Sequence, residues 1–313
     1  MAEIVLGFGS SHGPTIGTPP EQWAKLGAKD MQDVRFDFEA ARRNVRPDIE
    51  EQITIERMRE RSDACDAGMA ALTSIIQDAA PDVIVVLSNP HGGVTQDRMQ
   101  PTFGLWLDDS PPFTEAPGRS GLVPVTPPEG RAFPTDPDLA RHLMNTMVED
   151  GFDLAASFQS RPGAGLDSAF LLLYQRYLKD GTMPFVPFLL SRYLPNQATP
   201  ARCYALGQSL RRAIEAWDSP KRVAIMASGG LSHQIIDEEL DHTVIDALVE
   251  NDVETLRTLD RGKLNGAPGT PEILNWVACA GAMDPKSMTL IDYVPCYRSV
   301  AGTGHGVTFG HWS

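Results

Sequence analysis

The sequence predicts an α/β fold: one domain over residues 1–313, a central and mostly parallel sheet, helices on both faces, and a long irregular loop near the functional site. Three observations carry this expectation. Short apolar runs rich in Val, Ile, Leu and Phe alternate with segments of helical periodicity. Only two stretches break that rhythm, and neither reads as a flexible boundary between domains. The chain holds no internal repeat and no low-complexity tract.

Taken in order, residues 4–7 read as the first buried strand. A Gly/Pro-rich loop follows over residues 10–20, where Gly17, Pro19 and Pro20 postpone any helix to about Glu21. Met69, Leu72, Ile75, Ile76 and Ala79 recur at helical spacing, and residues 83–88 form the next strand-like run. Residues 90–136 are rich in Pro and Gly, with one strand expected at 103–107. A connection that long in a compact domain is more often a binding loop than a linker. Asp136 and Pro137 suit the N-cap and first helical position of a helix running to Asp150. Strands are expected at 184–190 and 223–228, flanking a helix that carries Leu206, Leu210, Ala213, Ile214 and Trp217. Residues 238–259 are acidic and periodic over one or two helices, Pro271 suits the first turn of another, and 287–294 is a further strand. Beyond Gly302-Thr303-Gly304-His305-Gly306 only seven residues remain, too few for a βα unit.

The 313 residues are 42% hydrophobic and 22% charged, enough apolar material for a large core. Lys and Arg number 27 against 41 Asp and Glu, giving a net charge of −14. That balance repels phosphate backbones and anionic lipid, so neither nucleic acid nor a membrane surface is expected as a partner. Cys65, Cys203, Cys279 and Cys296 stand far apart with no C-x-x-C pair, which excludes a disulfide framework and a cysteine zinc site. The opening Met-Ala-Glu-Ile-Val-Leu-Gly has no basic leader, and no apolar run reaches membrane-spanning length. A reducing, cytoplasmic setting is the expectation.

Position sorts the seven histidines. His142 and His242 lie within helical patterns, where solvated or capping roles are expected, while His305 and His311 stand near the chain end. His12, His91 and His233 each follow a predicted strand closely. In open α/β sheets ligands gather beyond the carboxyl ends of strands, so three imidazoles delivered to one sheet edge form a plausible cluster. A two-His, one-carboxylate site for Fe(II) needs one acid, and Glu272, in Gly269-Thr270-Pro271-Glu272, is the candidate. Taken alone, a Glu in a first helical turn merely complements the helix dipole.

Rival motifs lack their structural context. Gly9-Ser10-Ser11-His12-Gly13 matches a nucleophile elbow with Ser11 as nucleophile, but no helix follows the turn. Gly7-Phe8-Gly9 begins like a dinucleotide fingerprint, yet His12 occupies the third glycine position. Two other readings stay open: a metal- or serine-dependent hydrolase, and a non-enzymatic binding protein.

Several segments resemble the class III extradiol ring-cleavage dioxygenases, the superfamily of the protocatechuate 4,5-dioxygenase catalytic subunit, and within it the gallate and 3-O-methylgallate type. They are residues 2–7 leading to Ser10-Ser11-His12-Gly13-Pro14, then Pro19-Pro20-Glu21-Gln22-Trp23, Ser228-Gly229-Gly230-Leu231-Ser232-His233-Gln234, the segment from Glu272 to Trp276, and Tyr297-Arg298-Ser299-Val300-Ala301-Gly302-Thr303-Gly304. The resemblance implies a non-haem Fe(II) held by His12, His91 and Glu272, with His233 as a proton-moving histidine that is not a ligand. It implies a small catechol substrate, carboxylated and lignin-derived, that takes up both atoms of O2, and a homo-oligomer. Before His91 this chain reads Ser88-Asn89-Pro90, where related sequences place an Asp; Asn89 can still orient the imidazole, whereas Pro90 has no N–H to donate. Arg298, Ser299, Thr303 and His305, in the closing loop, are the candidates for binding the ring substituents, and Phe103, Trp106 and Phe113 for walling an aromatic pocket.

Overall fold

A computed structural model describes residues 1–89, 101–109, 133–157, 166, 168–178 and 182–313. Nine strands of the described chain form one sheet: β1 (Glu3–Ser10), β2 (Val83–Ser88), β3 (Phe103–Trp106), β4 (Ala155–Ser157), β5 (Phe185–Leu190), β6 (Arg222–Ser228), β7 (His233–Ile235), β8 (Thr289–Tyr297) and β9 (Thr303–Trp312). Their order is β4-β3-β5-β2-β6-β1-β9-β7, with β8 paired to β9. The centre, β5-β2-β6-β1, is parallel throughout. Antiparallel strands extend it on both sides, β3 beside β5 and β9 beside β1.

Eleven α-helices accompany the sheet among the described residues: α1 (Trp23–Asp30), α2 (Phe38–Arg43), α3 (Ile49–Gln52), α4 (Ile55–Ala79), α5 (Pro137–Glu149), α6 (Ser168–Arg176), α7 (Pro200–Ala216), α8 (Glu238–Glu250), α9 (Val253–Arg257), α10 (Arg261–Leu264) and α11 (Ile273–Met283). They cover both faces. Val83, Val85 and Leu87 of β2 pack with residues of α5, α7, α8 and α11, while Ile84 and Val86 pack with residues of α4 and α6. Every residue of β2 and β5 is therefore buried, so these strands read as unbroken apolar runs rather than alternating ones.

Local signals act as expected at several ends. The Asp136 carboxylate accepts from the Leu139 N–H with Pro137 at the start of α5. Residues 238–259 divide into α8 and α9 because Asn251 adopts a left-handed conformation, φ 53°, and ends the first helix. Helix α4 starts at Ile55, well before the periodic stretch, because its first half is charged and buries only Met58 and Cys65. The chain end differs more. Thr303 and His305 lie in a strand, not a loop, and residues after Gly306 continue it to Trp312. An antiparallel edge strand needs no helix to return it, so the few remaining residues suffice to pair Ser10 with Phe309 and Gly7 with Trp312. No helix among the described residues is long and apolar enough to cross a membrane.

Helices α7 and α11 touch through their backbones. A Cβ on Gly207 would stand 1.9 Å from the Ala278 carbonyl oxygen, and one on Gly281 would stand 2.1 Å from that of Tyr204. Backbone cannot yield as a flexible side chain does, so a methyl group must push the helices apart. Gly207→Ala should cost about 1–3 kcal/mol in urea unfolding, with the slope on denaturant unchanged. Unaltered stability would show that the two helices are not held this closely.

Candidate metal centre

The strands of the parallel centre end nearly level. Ser10 of β1 lies opposite Ser228 of β6, and Ser88 of β2 opposite Leu189 of β5. Segments leaving these ends deliver the polar groups of the site. His12 follows β1 by two residues, Arg192 follows β5 by two, and His233 opens β7 after a short loop from β6. Glu272 comes from the opposite direction, at the close of the 3-10 turn Thr270–Glu272 that feeds α11.

Helix α11 is fastened to the end of β6. Asn275 Nδ2 donates to the Ser228 carbonyl at 2.7 Å and to Asn89 Oδ1 at 2.6 Å, while Trp276 Nε1 donates to the Gly229 carbonyl at 2.9 Å. Gly229 has φ 142°, and a Cβ there would lie 2.8 Å from Glu272 Oε2. Only glycine admits both that backbone conformation and a carboxylate so close.

Three groups meet in the buried interior. Glu272 Oε2 lies 3.2 Å from His12 Nε2 and 3.4 Å from His233 Nε2, and the ligand atoms of all three residues fall within 4.8 Å of one another. Hydrogen bonds set both tautomers. The Ser228 hydroxyl donates to the Ala169 carbonyl at 2.6 Å, so it accepts from His12 Nδ1–H at 3.2 Å. The Leu231 carbonyl only accepts, so His233 Nδ1 at 3.2 Å also carries its proton. Both rings therefore turn Nε2 toward the same carboxylate oxygen. A lone pair aimed at an anion is repelled unless a cation or proton lies between them, and imidazole and carboxylate donors such as His12 and Glu272 suit a divalent transition metal. Burial lowers the His233 pKa to about 4 against the opposing pull of Glu272, so its imidazole is neutral at pH 7.

Glu272 is fully buried, and its other oxygen, Oε1, accepts from Arg192 Nη1 at 2.6 Å. Behind His233 lies His305, its ring perpendicular at 4.5 Å between centroids. His305 Nδ1 stands 3.2 Å from Arg298 Nη1, which only donates, so His305 carries its proton on Nε2. Burial first, then the neighbouring His233 and Arg298, hold the His305 pKa well below its ordinary value. Arg298 is clamped by both oxygens of Asp30, at 2.7 and 2.8 Å, and Thr303 donates to the same carboxylate at 2.6 Å. With Thr303 so engaged, Ser299 donates to the Thr303 hydroxyl, also at 2.6 Å.

The structure thus brings together His12, His233 and Glu272, with His305 against them. Arg298, Ser299 and Thr303 stand in a buried set around Asp30. His91 and Phe113 lie outside the described residues. Phe103 and Trp106 are packed in the hydrophobic core on opposite faces of the sheet. Ser11 Oγ donates to the Gly306 carbonyl and accepts from the Thr308 N–H, so its hydroxyl serves β9. His142 bonds the Ala213 carbonyl and stacks on Trp217, and His242 packs edge-on to Tyr293. Sequence reasoning passed over Arg192, although it stands just beyond a predicted strand end as His12 does. Asp30 and Asn275 carried no comparable signal, because each works through partners far away in the sequence.

The turn before His233 has its own anchor. Asp241 accepts from Ser232 N–H at 2.7 Å, Ser232 Oγ at 2.6 Å and Tyr293 OH at 2.7 Å. Burial nevertheless raises its pKa from 3.8 to about 6. Between those values the folded chain keeps a proton that the unfolded chain has lost, so this group's contribution to stability falls as pH rises. Asp241→Asn should remove that dependence. Relative to wild type, the variant should gain up to about 3 kcal/mol between pH 4 and 6 in urea titrations; parallel pH curves would contradict it.

Residues 53–307 match the family described as the catalytic LigB subunit of aromatic ring-opening dioxygenase. A gallate dioxygenase of Pseudomonas putida is 34% identical over 158 residues, covering 46% of this chain and 45% of that protein. A 2,3-dihydroxyphenylpropionate/2,3-dihydroxicinnamic acid 1,2-dioxygenase of a Rhodococcus species is 26% identical over 222 residues, covering 67% and 65%. The chain thus spans about half to two thirds of the length of these relatives. Among solved structures, the uncharacterized protein JW3007 from Escherichia coli K12 aligns with a TM-score of 0.48 at 13% identity, covering 97% of this chain and 98% of that one.

Proposed function

Because the chain belongs to the LigB family of aromatic ring-opening dioxygenases, we propose that it is a non-haem Fe(II) extradiol dioxygenase that opens a catechol ring with O2. The observation that carries this reading is the convergence of two imidazole Nε2 atoms on one carboxylate oxygen in a buried site. His12 and Glu272 are proposed as ligands, with His91 as the third and His233 as the group that moves protons. When bound, Fe(II) supplies a Lewis acid for a chelating diphenol and electron transfer with O2. Both oxygen atoms enter the product, so the reaction needs no reductant.

The chain's own groups do the rest. His233 Nε2 can accept a proton from a diphenol hydroxyl, and its Nδ1–H bond to Leu231 keeps the ring from turning away. Its depressed pKa means that it begins unprotonated at neutral pH and can return the proton later in the cycle. Burial excludes competing water. His305 serves as a neutral wall behind His233, held by Arg298, Ser299, Thr303 and Asp30. The substrate is proposed to be a carboxylated, lignin-derived catechol such as gallate, 3-O-methylgallate or protocatechuate. The gallate dioxygenase relative supports that class. We place the protein in the cytoplasm as a homo-oligomer, with residues 1–313 as one catalytic unit.

Protein loaded anaerobically with Fe(II) should consume O2 when given one of these three acids. His12→Ala and Glu272→Ala should lose the iron. His233→Ala should retain it while turnover falls about 10²–10⁴-fold. Full iron content in a His12→Ala/Glu272→Ala double variant would refute the metal site. Loss of iron from His233→Ala would make His233 a ligand instead.

A further inference from the structure

We propose that Arg192 is a positioning residue that makes Glu272 offer the metal a single oxygen. This rests on the reading of Glu272 as a metal ligand and extends it to a residue outside the ligand set. A carboxylate can bind a cation through one oxygen or both, and the choice decides how many coordination positions remain for other molecules. Here the two oxygens are already distinguished. Oε1 accepts from Arg192 Nη1 at 2.6 Å, whereas Oε2 is the atom that faces His12 Nε2 and His233 Nε2.

Arg192 is itself held for that task. Nη2 donates to Tyr193 OH at 2.8 Å, and the Arg192 carbonyl accepts from Gln197 Nε2 at 3.0 Å. Its side chain is nearly as buried as that of Glu272, so solvent screens the pair little. A guanidinium is charged at any working pH and holds a rigid planar geometry, which a flexible ammonium does not reproduce. With Arg192 in place, rotation of Glu272 toward two-oxygen binding must break a charge-assisted bond. Without it, Oε1 is released to the cation and takes a position that the diphenol or O2 needs.

The test uses Co(II) as the probe, with X-ray absorption of the loaded full-length protein and its Arg192→Met and Arg192→Lys variants. Wild type and both variants should take up one equivalent of Co(II). The coordination number should rise by about one in Arg192→Met and less in Arg192→Lys. In parallel, Fe(II)-loaded Arg192→Met should lose about 10–100-fold in kcat with iron content unchanged. An unchanged coordination number in Co(II)-loaded Arg192→Met would overturn the proposal, as would Co(II) affinity and thermal stability falling together in both variants, the mark of a purely structural role. A wild-type protein that takes up no Co(II) would overturn the metal reading itself, and this inference with it.

Discussion

A carboxylate shut away from water is the constraint around which this molecule is arranged. An ionised carboxyl group without partners in a protein interior is too costly to persist, so Glu272 must be met by hydrogen-bond donors or positive charge. Arg192 meets one oxygen; the other faces the Nε2 atoms of His12 and His233, where a cation or a proton would complete the balance. These partners come from the ends of three strands, and Glu272 comes from the 3-10 turn that leads into α11. The level ends of the parallel centre therefore matter as much as any single side chain. Displacing one strand along another would separate the carboxylate from its partners.

Around this centre, hydrogen bonds convert flexible groups into oriented ones. Ser228 and Leu231 engage Nδ1 of each imidazole and leave Nε2 to face Glu272. Asn275 and Trp276 tie the helix bearing Glu272 to the strand that leads to His233. Asp241 secures the turn immediately before that histidine, and Asp30 secures the arginine behind His305. Such outer contacts set the direction and basicity of groups that face a metal or substrate.

Charge is divided between surface and interior. The chain carries a net charge of −14, which opposes the approach of an anionic aromatic acid. On the proposed function, recognition of such a molecule would have to come from local donors and from the bound metal. Arg298, one of four candidates in the closing segment, has Nε and Nη2 held by Asp30 and Nη1 against His305. A neutral His233 beside the buried carboxylate leaves room for a cation without adding a positive charge of its own.

The strands at 83–88 and 223–228, the capped helix from Pro137 and the placing of histidines at strand ends were all legible in the amino-acid order. Each depends on local periodicity, on capping chemistry, or on the rule that strand ends carry ligands. The strand β9 was not legible, because a glycine-rich terminal segment shows no apolar rhythm until it is paired with β1 and β8. Arg192 stood at a legible strand end, but its partner was not legible, since Glu272 lies 80 residues away. Sequence alone thus determined the fold class and put His12, His233 and Glu272 forward. Tertiary structure decided which atoms face one another, because tautomers, ion pairs and buried networks arise only when distant segments pack together.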